Sequence, residues 1–136
     1  MDRTGFNFSE LKTKAVIFHR GNKKLKDREL QLNFGNSRIE VVSEVKLLGI
    51  IFDDKLTWIP HLETLKRKCI TSLNAMKLMV KHSKTVDTNF LLRIYKSLVR
   101  SKLDYGCQVY GTAGASRLEK LDPVHHAAPR LCTGGI

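Results

Sequence analysis

Cysteine is scarce in this 136-residue chain, and its three copies, Cys69, Cys107 and Cys132, stand far apart. An odd number of thiols with no CxxC pair supports neither a disulfide framework nor a zinc site. The expectation is reduced, mostly buried thiols in an intracellular protein. His125-His126 with Cys132 also lacks zinc-ligand spacing, so no metal site is expected. No apolar run approaches the roughly 20 residues that span a bilayer, and residues 1–9 hold no apolar stretch of the kind a secretory signal needs. A protein of the nucleus or cytoplasm is expected, neither secreted nor bound to a membrane. Phosphate cradles of the GxxxxGKS/T or GxGxxG type are missing, as is a GxSxG elbow. There is no internal repeat and no low-complexity tract.

Acid is the other shortage. Thirteen Asp and Glu face 24 Lys and Arg, a net charge of +11. A surplus of that size favours a polyanionic partner, nucleic acid first and an anionic membrane surface second. The 42% hydrophobic content is that of an ordinary globular protein and excludes wholesale disorder. The length suits one modest domain or a piece of a larger one.

The N-terminal third reads as β-structure. Ala15 to Phe18 is a compact apolar run, followed by a Gly21-Asn22 turn and a basic stretch from Lys23 to Arg28. Leu30 to Phe34 alternates with period two, Gly35-Asn36 signals a turn, and Ile39 to Val42 and Val45 to Phe52 are further apolar segments. A small antiparallel sheet of three or four strands is expected, with Asp53-Asp54 and Pro60 at its exit.

The second half changes period. From His61 to about His82, Leu62, Leu65, Cys69, Leu73, Met76 and Val80 form a stripe within roughly 80° of arc. A second helix is expected from an Asp87 N-cap, presenting Leu91, Ile94, Tyr95, Leu98 and Val99 and leaving at Asp104-Tyr-Gly106. A shorter one covers Ala115 to about Leu121, with Leu118 and Leu121 inward. Pro129 predicts a helix break, since an interior proline costs about 3 kcal/mol or more. A frayed end is expected from Thr133 to Ile136. The fold class is α+β, sheet first and helices after.

Four strings in this order resemble the reverse transcriptases of non-long-terminal-repeat retrotransposons, the jockey-like elements in particular. Gly5 to Phe18 resembles the palm segment after the catalytic aspartates: a short helix, a Lys-Thr pair, then a strand. Val45 to Trp58, with His61-Leu62 after it, is similar to the primer-grip hairpin and its lead into the thumb, with Leu48-Gly49-Ile50 as the core. Leu91 to Gly106 resembles the thumb helix and its Asp-Tyr-Gly exit. Leu118 to Asp122, then Val124-His-His and Arg130-Leu131, looks like the segment after the thumb. The family normally continues a helix where Pro129 stands.

The resemblance implies residues 1–58 as the end of a polymerase palm and residues 59–136 as a helical thumb with a post-thumb segment. The family's catalytic signature, an aromatic residue and two adjacent aspartates, belongs upstream of Gly5 and is not in these residues. Asp53-Asp54 is the only Asp-Asp pair and lies in the primer-grip string instead. The expectation is a truncated copy or incomplete gene model of an RNA-directed DNA polymerase, unable to polymerise alone. Mg2+ would serve only the full-length enzyme, and the missing upstream palm and fingers would be partners. The alternatives are a stand-alone basic RNA- or DNA-binding module and a non-functional transposon relic.

Candidate site residues follow. By resemblance alone, Lys12 supplies the acid or phosphate contact near the leaving pyrophosphate; without it, Lys12 is a solvated lysine at a helix end. Leu48, Gly49 and Ile50 either let a primer backbone approach closely or form a bend. Trp58 either stacks on a base or anchors packing. On the first long helix Lys66, Lys77, Lys81 and Lys84 project within roughly 60° of one another, with Arg67 slightly outside. That face suits contact with backbone phosphates without sequence reading, and Arg93, Lys96, Arg100 and Lys102 extend it on the next helix.

Overall fold

In a computed structural model the described residues are 9, 12–19, 32–34, 37–82 and 87–133. The Gly21-Asn22 and Gly35-Asn36 turns, the basic stretch 23–28, Lys84 and residues 134–136 lie outside them. The chain divides between Thr57 and Trp58 into two units.

The first unit holds short strands: β1 (Lys14–Ala15), β2 (Asn33–Phe34), β3 (Ser37–Arg38), β4 (Glu40–Val41), β5 (Glu44–Leu47) and β6 (Ile50–Asp53). They do not make the single antiparallel sheet expected. They form three two-stranded ladders, β1–β4, β2–β3 and β5–β6, and the first is parallel. Lys14 lies opposite Glu40 in that ladder, and their side chains pair at 3.4 Å. The alternating and apolar runs carry the strand signal, but partner choice and direction are tertiary, so periodicity cannot read them. The longest ladder is the β5–β6 hairpin, registered Glu44↔Asp53 through Leu47↔Ile50. Its two-residue loop has positive φ at both positions, 48° at Leu48 and 85° at Gly49. That is the primed-turn geometry which matches the right-handed twist of the flanking strands.

The hairpin's far end is closed by side chains. Asp53 accepts from the Thr57 N–H and Thr57 Oγ1, both at 2.8 Å. Asp54 Oδ2 lies 3.3 Å from His19 Nε2, and the His19 N–H donates to the Asp54 carbonyl at 3.0 Å. Leu56 and Trp58 follow with φ of 51° and 64°.

The second unit is helical: α1 (Ile59–His82), α2 (Thr88–Tyr95), a π turn (Lys96–Arg100), α3 (Ser101–Asp104), α4 (Cys107–Tyr110), α5 (Ala115–Leu118), a 3-10 turn (Glu119–Leu121) and α6 (Asp122–Thr133). The expected α1 stripe is buried over most of its length: Leu62, Leu65, Cys69, Leu73 and Met76 are at most 5% exposed, while Val80 at its end is half-buried. Opposite it come Leu91, Val99, Leu103, Leu121, Val124, Ala128 and Cys132, all buried, as α1 packs on α6, α2, the π turn and α3. Burying each large aliphatic side chain contributes roughly 1.5–3 kcal/mol, so the helices are fixed by this stripe more than by their propensities. The thiols of Cys69 and Cys132 sit in this core, and burial pushes both upward in pKa. Cys107 is exposed.

Three details depart from expectation. Helical spacing points Leu98 inward, yet it is 39% exposed, while Leu91, Val99 and Leu103 are buried. The π turn explains this: i→i+5 bonding widens the turn and moves the inward register onto positions four apart. The helix expected over Ala115 to Leu121 tightens after Leu118 into a 3-10 turn that buries Leu121 and leaves Leu118 half-buried. Pro129 does not break α6, which runs through it to Thr133. Pro129 itself is exposed, while Val124, Ala128 and Cys132 form one buried row. That row's packing offsets the lost backbone hydrogen bond.

Candidate nucleic-acid interface

One continuous 24-residue helix places the basic residues of α1. At 100° per residue Lys66, Lys77 and Lys81 fall within roughly 60°, beside the buried stripe. Lys66 is half-buried, so its stem lies along the apolar edge, while Lys77 and Lys81 are exposed. None of the three makes an ion pair among the described residues. Arg67 stands at the margin of the face and reaches Thr64 Oγ1 at 3.4 Å. Lys66 and Lys81 are about 22 Å apart along the helix at 1.5 Å per residue. Lys84 lies beyond His82, the last residue of α1, and outside the described residues.

The same helical spacing puts Glu63 on this face. Lys120, on the 3-10 turn, reaches it at 2.8 Å. That hydrogen bond and charge, with Arg67 and Lys66 nearby, hold the Glu63 carboxyl below its ordinary range. The one acid on the face is therefore neutralised from another element. His61, at the start of α1, is buried and meets the Tyr110 ring at 5.2 Å between centroids, tilted by 46°. Burial, and then the charge of Lys68, lower its pKa. Tyr110 donates its hydroxyl to the Leu103 carbonyl, and burial pushes its pKa up to about 12.

The second helix divides its four cations. Lys102 turns onto α1, where it donates to the buried Ser72 Oγ at 2.5 Å. Arg100 lies 3.4 Å from Asp104. Arg93 and Lys96 make no ion pair among the described residues.

In the first unit Leu48, Gly49 and Ile50 meet in the hairpin turn. Leu48 is 81% exposed at the tip and Ile50 is buried at the root. The positive φ at both loop positions accounts for the glycine by backbone conformation. Lys12 is exposed in a separate turn before β1, where its N–H donates to the Ser9 carbonyl at 3.1 Å. Trp58 is 6% exposed, a packing position. His125 and His126 are exposed on α6, and no group of three metal-ligating side chains comes together among the described residues.

A helix carrying unpaired lysines, with its one acid neutralised, is the setting in which the curated relatives become informative. By sequence the chain is similar to RNA-directed DNA polymerases of transposons. The probable RNA-directed DNA polymerase from transposon BS of Drosophila melanogaster is 28% identical over 91 residues, 67% of this chain and 10% of that protein. The RNA-directed DNA polymerase from mobile element jockey of the same fly is 34% identical over 76 residues, 56% of this chain and 8% of that protein. The jockey polymerase of Drosophila funebris is 29% identical over 90 residues, 66% of this chain and 10% of that protein. The chain thus spans about a tenth of the length of these polymerase relatives. No family model matches the chain, and no solved structure matches it. Among the described residues no helix is long and apolar enough to cross a membrane.

Proposed function

We propose that this chain is a segment of an RNA-directed DNA polymerase of a jockey-like retrotransposon, and that α1 acts as a thumb helix gripping the backbone of a primer-template duplex. The lysine face of α1 carries the reading. About 22 Å of helix spans the rise of some six phosphates of one strand, given 3.4 Å per phosphate along that strand. Lysine ammoniums on one side of a rigid helix neutralise such a row without reading bases. Sequence similarity to transposon polymerases supports the first part of this reading, a segment of such an enzyme.

In this reading residues 1–58 are the end of the palm, and the Leu48-Gly49 tip of the hairpin faces the primer strand. Lys12 is the weaker candidate, a phosphate contact in the full enzyme. The 136 residues are proposed to carry no polymerase chemistry of their own. Their one adjacent pair of aspartates is tied into the base of the hairpin, Asp53 accepting from Thr57 and Asp54 lying against His19. Mg2+ and the upstream palm and fingers belong to the larger enzyme.

Two assays test this. Fluorescence anisotropy with a blunt RNA–DNA duplex should give salt-sensitive binding, and an affinity independent of salt would remove the phosphate-grip reading. Primer extension by the pure chain with magnesium should yield no product, and measurable incorporation would overturn the non-catalytic assignment.

A further inference from the structure

The α2 helix and the π turn after it present cations that the α1 face does not use. With Arg100 paired to Asp104 and Lys102 turned onto Ser72, Arg93 and Lys96 are left toward solvent. At 100° per residue they share a face of about 60° with Asn89, flanked by Phe90 on one side and Leu92 on the other. These residues and Asp87 line an open groove of about 470 Å³. Phe90 is 54% exposed. The helix already buries Leu91 and half-buries Ile94 and Tyr95, so the core does not need that ring.

An exposed aromatic beside two unpaired cations within two helical turns is the arrangement that holds an unpaired strand. The ring offers a stacking platform, and the cations meet phosphates. A duplex hides its base faces, so Phe90 can serve only a base that is out of the stack. A groove of this volume is large enough to take one nucleotide. We propose that the α2 groove binds a single-stranded segment of nucleic acid, with Phe90 stacked on a base and Arg93 and Lys96 on its phosphates. Asp87 and Asn89 at the rim offer an acceptor and an amide to base edges. The proposal rests on the nucleic-acid reading above and adds to it a site for unpaired rather than paired strand.

The test uses the full chain with three probes: a blunt duplex, the same duplex with an oligo-dT tail, and oligo-dT alone. Phe90→Leu should weaken oligo-dT binding by roughly 5- to 150-fold, the loss of one stacked base, with blunt-duplex affinity unchanged. Phe90→Tyr should restore it. Arg93→Gln with Lys96→Gln should lower the salt slope for oligo-dT by about 1.4, at 0.7 per phosphate on a single strand. Oligo-dT carrying 5-iododeoxyuridine should photocrosslink to the peptide containing Phe90. Equal losses on duplex and single strand, or a crosslink confined to other peptides, would overturn the groove. A parent chain that binds duplex but not oligo-dT overturns the groove and leaves α1 standing. A parent chain that binds neither overturns both readings.

Discussion

Replacing Lys66, Lys77 and Lys81 together by glutamine removes the charge of the α1 face while keeping side-chain length. Glutamine has nearly the helix propensity of lysine, and no ion pair is lost among the described residues, so the fold should be retained. If each lysine neutralises one duplex phosphate, the slope of log K against log salt becomes shallower by about 2.7, at 0.9 per phosphate. Between 50 and 200 mM salt the parent would then lose roughly 40-fold more affinity than the variant. The assay is an anisotropy titration of a blunt RNA–DNA duplex at several salt concentrations, with circular dichroism to verify the helices. A slope that changes by less than one would refute the reasoning. The lysines would then be a solvated face and the binding, if any, would lie elsewhere.

Three further outcomes follow from packing and charge. Leu62 is fully buried in the α1 stripe, so Leu62→Ala should destabilise the chain by about 2–5 kcal/mol in urea unfolding; a loss under 1 kcal/mol would mean that the stripe is not the core. At the hairpin tip, Leu48→Asn should raise thermal stability by up to about 1 kcal/mol, because asparagine tolerates the left-handed region that leucine resists. Gly49→Ala should lower it by at least as much, and the opposite order of effects would rule out the primed turn. His61 has a lowered pKa in the folded state, so the unfolded chain binds the proton more readily. Its contribution is whole above the unfolded value near 6.5 and is lost as pH falls through that value toward the folded one. Thermal melts from pH 8 to pH 5 should show a fall that His61→Gln reduces, and identical profiles would dismiss the effect.

Much of the helical unit is written in local pattern. Leu62, Leu65, Cys69, Leu73 and Met76 recur at helical spacing, and burial follows them residue for residue. Gly106 lies at a left-handed position, φ 71°, at the Asp-Tyr-Gly exit of α3. Asp87 holds the N-cap position of α2, though its side chain makes no capping hydrogen bond. The fold class was legible for the same reason: a change of period from two to near four is a property of neighbouring residues.

Long-range choices were not legible. The parallel β1–β4 ladder depends on which edge each strand meets, and no short window of sequence encodes that. The π turn at Lys96–Arg100 and the unbroken passage of α6 through Pro129 each trade local geometry for a buried row of side chains. Local propensity argues against both, and packing energy outweighs it. The same holds for charge. Sequence alone supplied the excess of Lys and Arg and set Lys66, Lys77 and Lys81 on one helical face. The fold decided that Lys120 neutralises Glu63 and that Lys102 is spent on Ser72, while Arg93 and Lys96 remain turned to solvent. Those pairings join residues 30 and 57 positions apart, and only the closing of one helix on another brings them within hydrogen-bond reach.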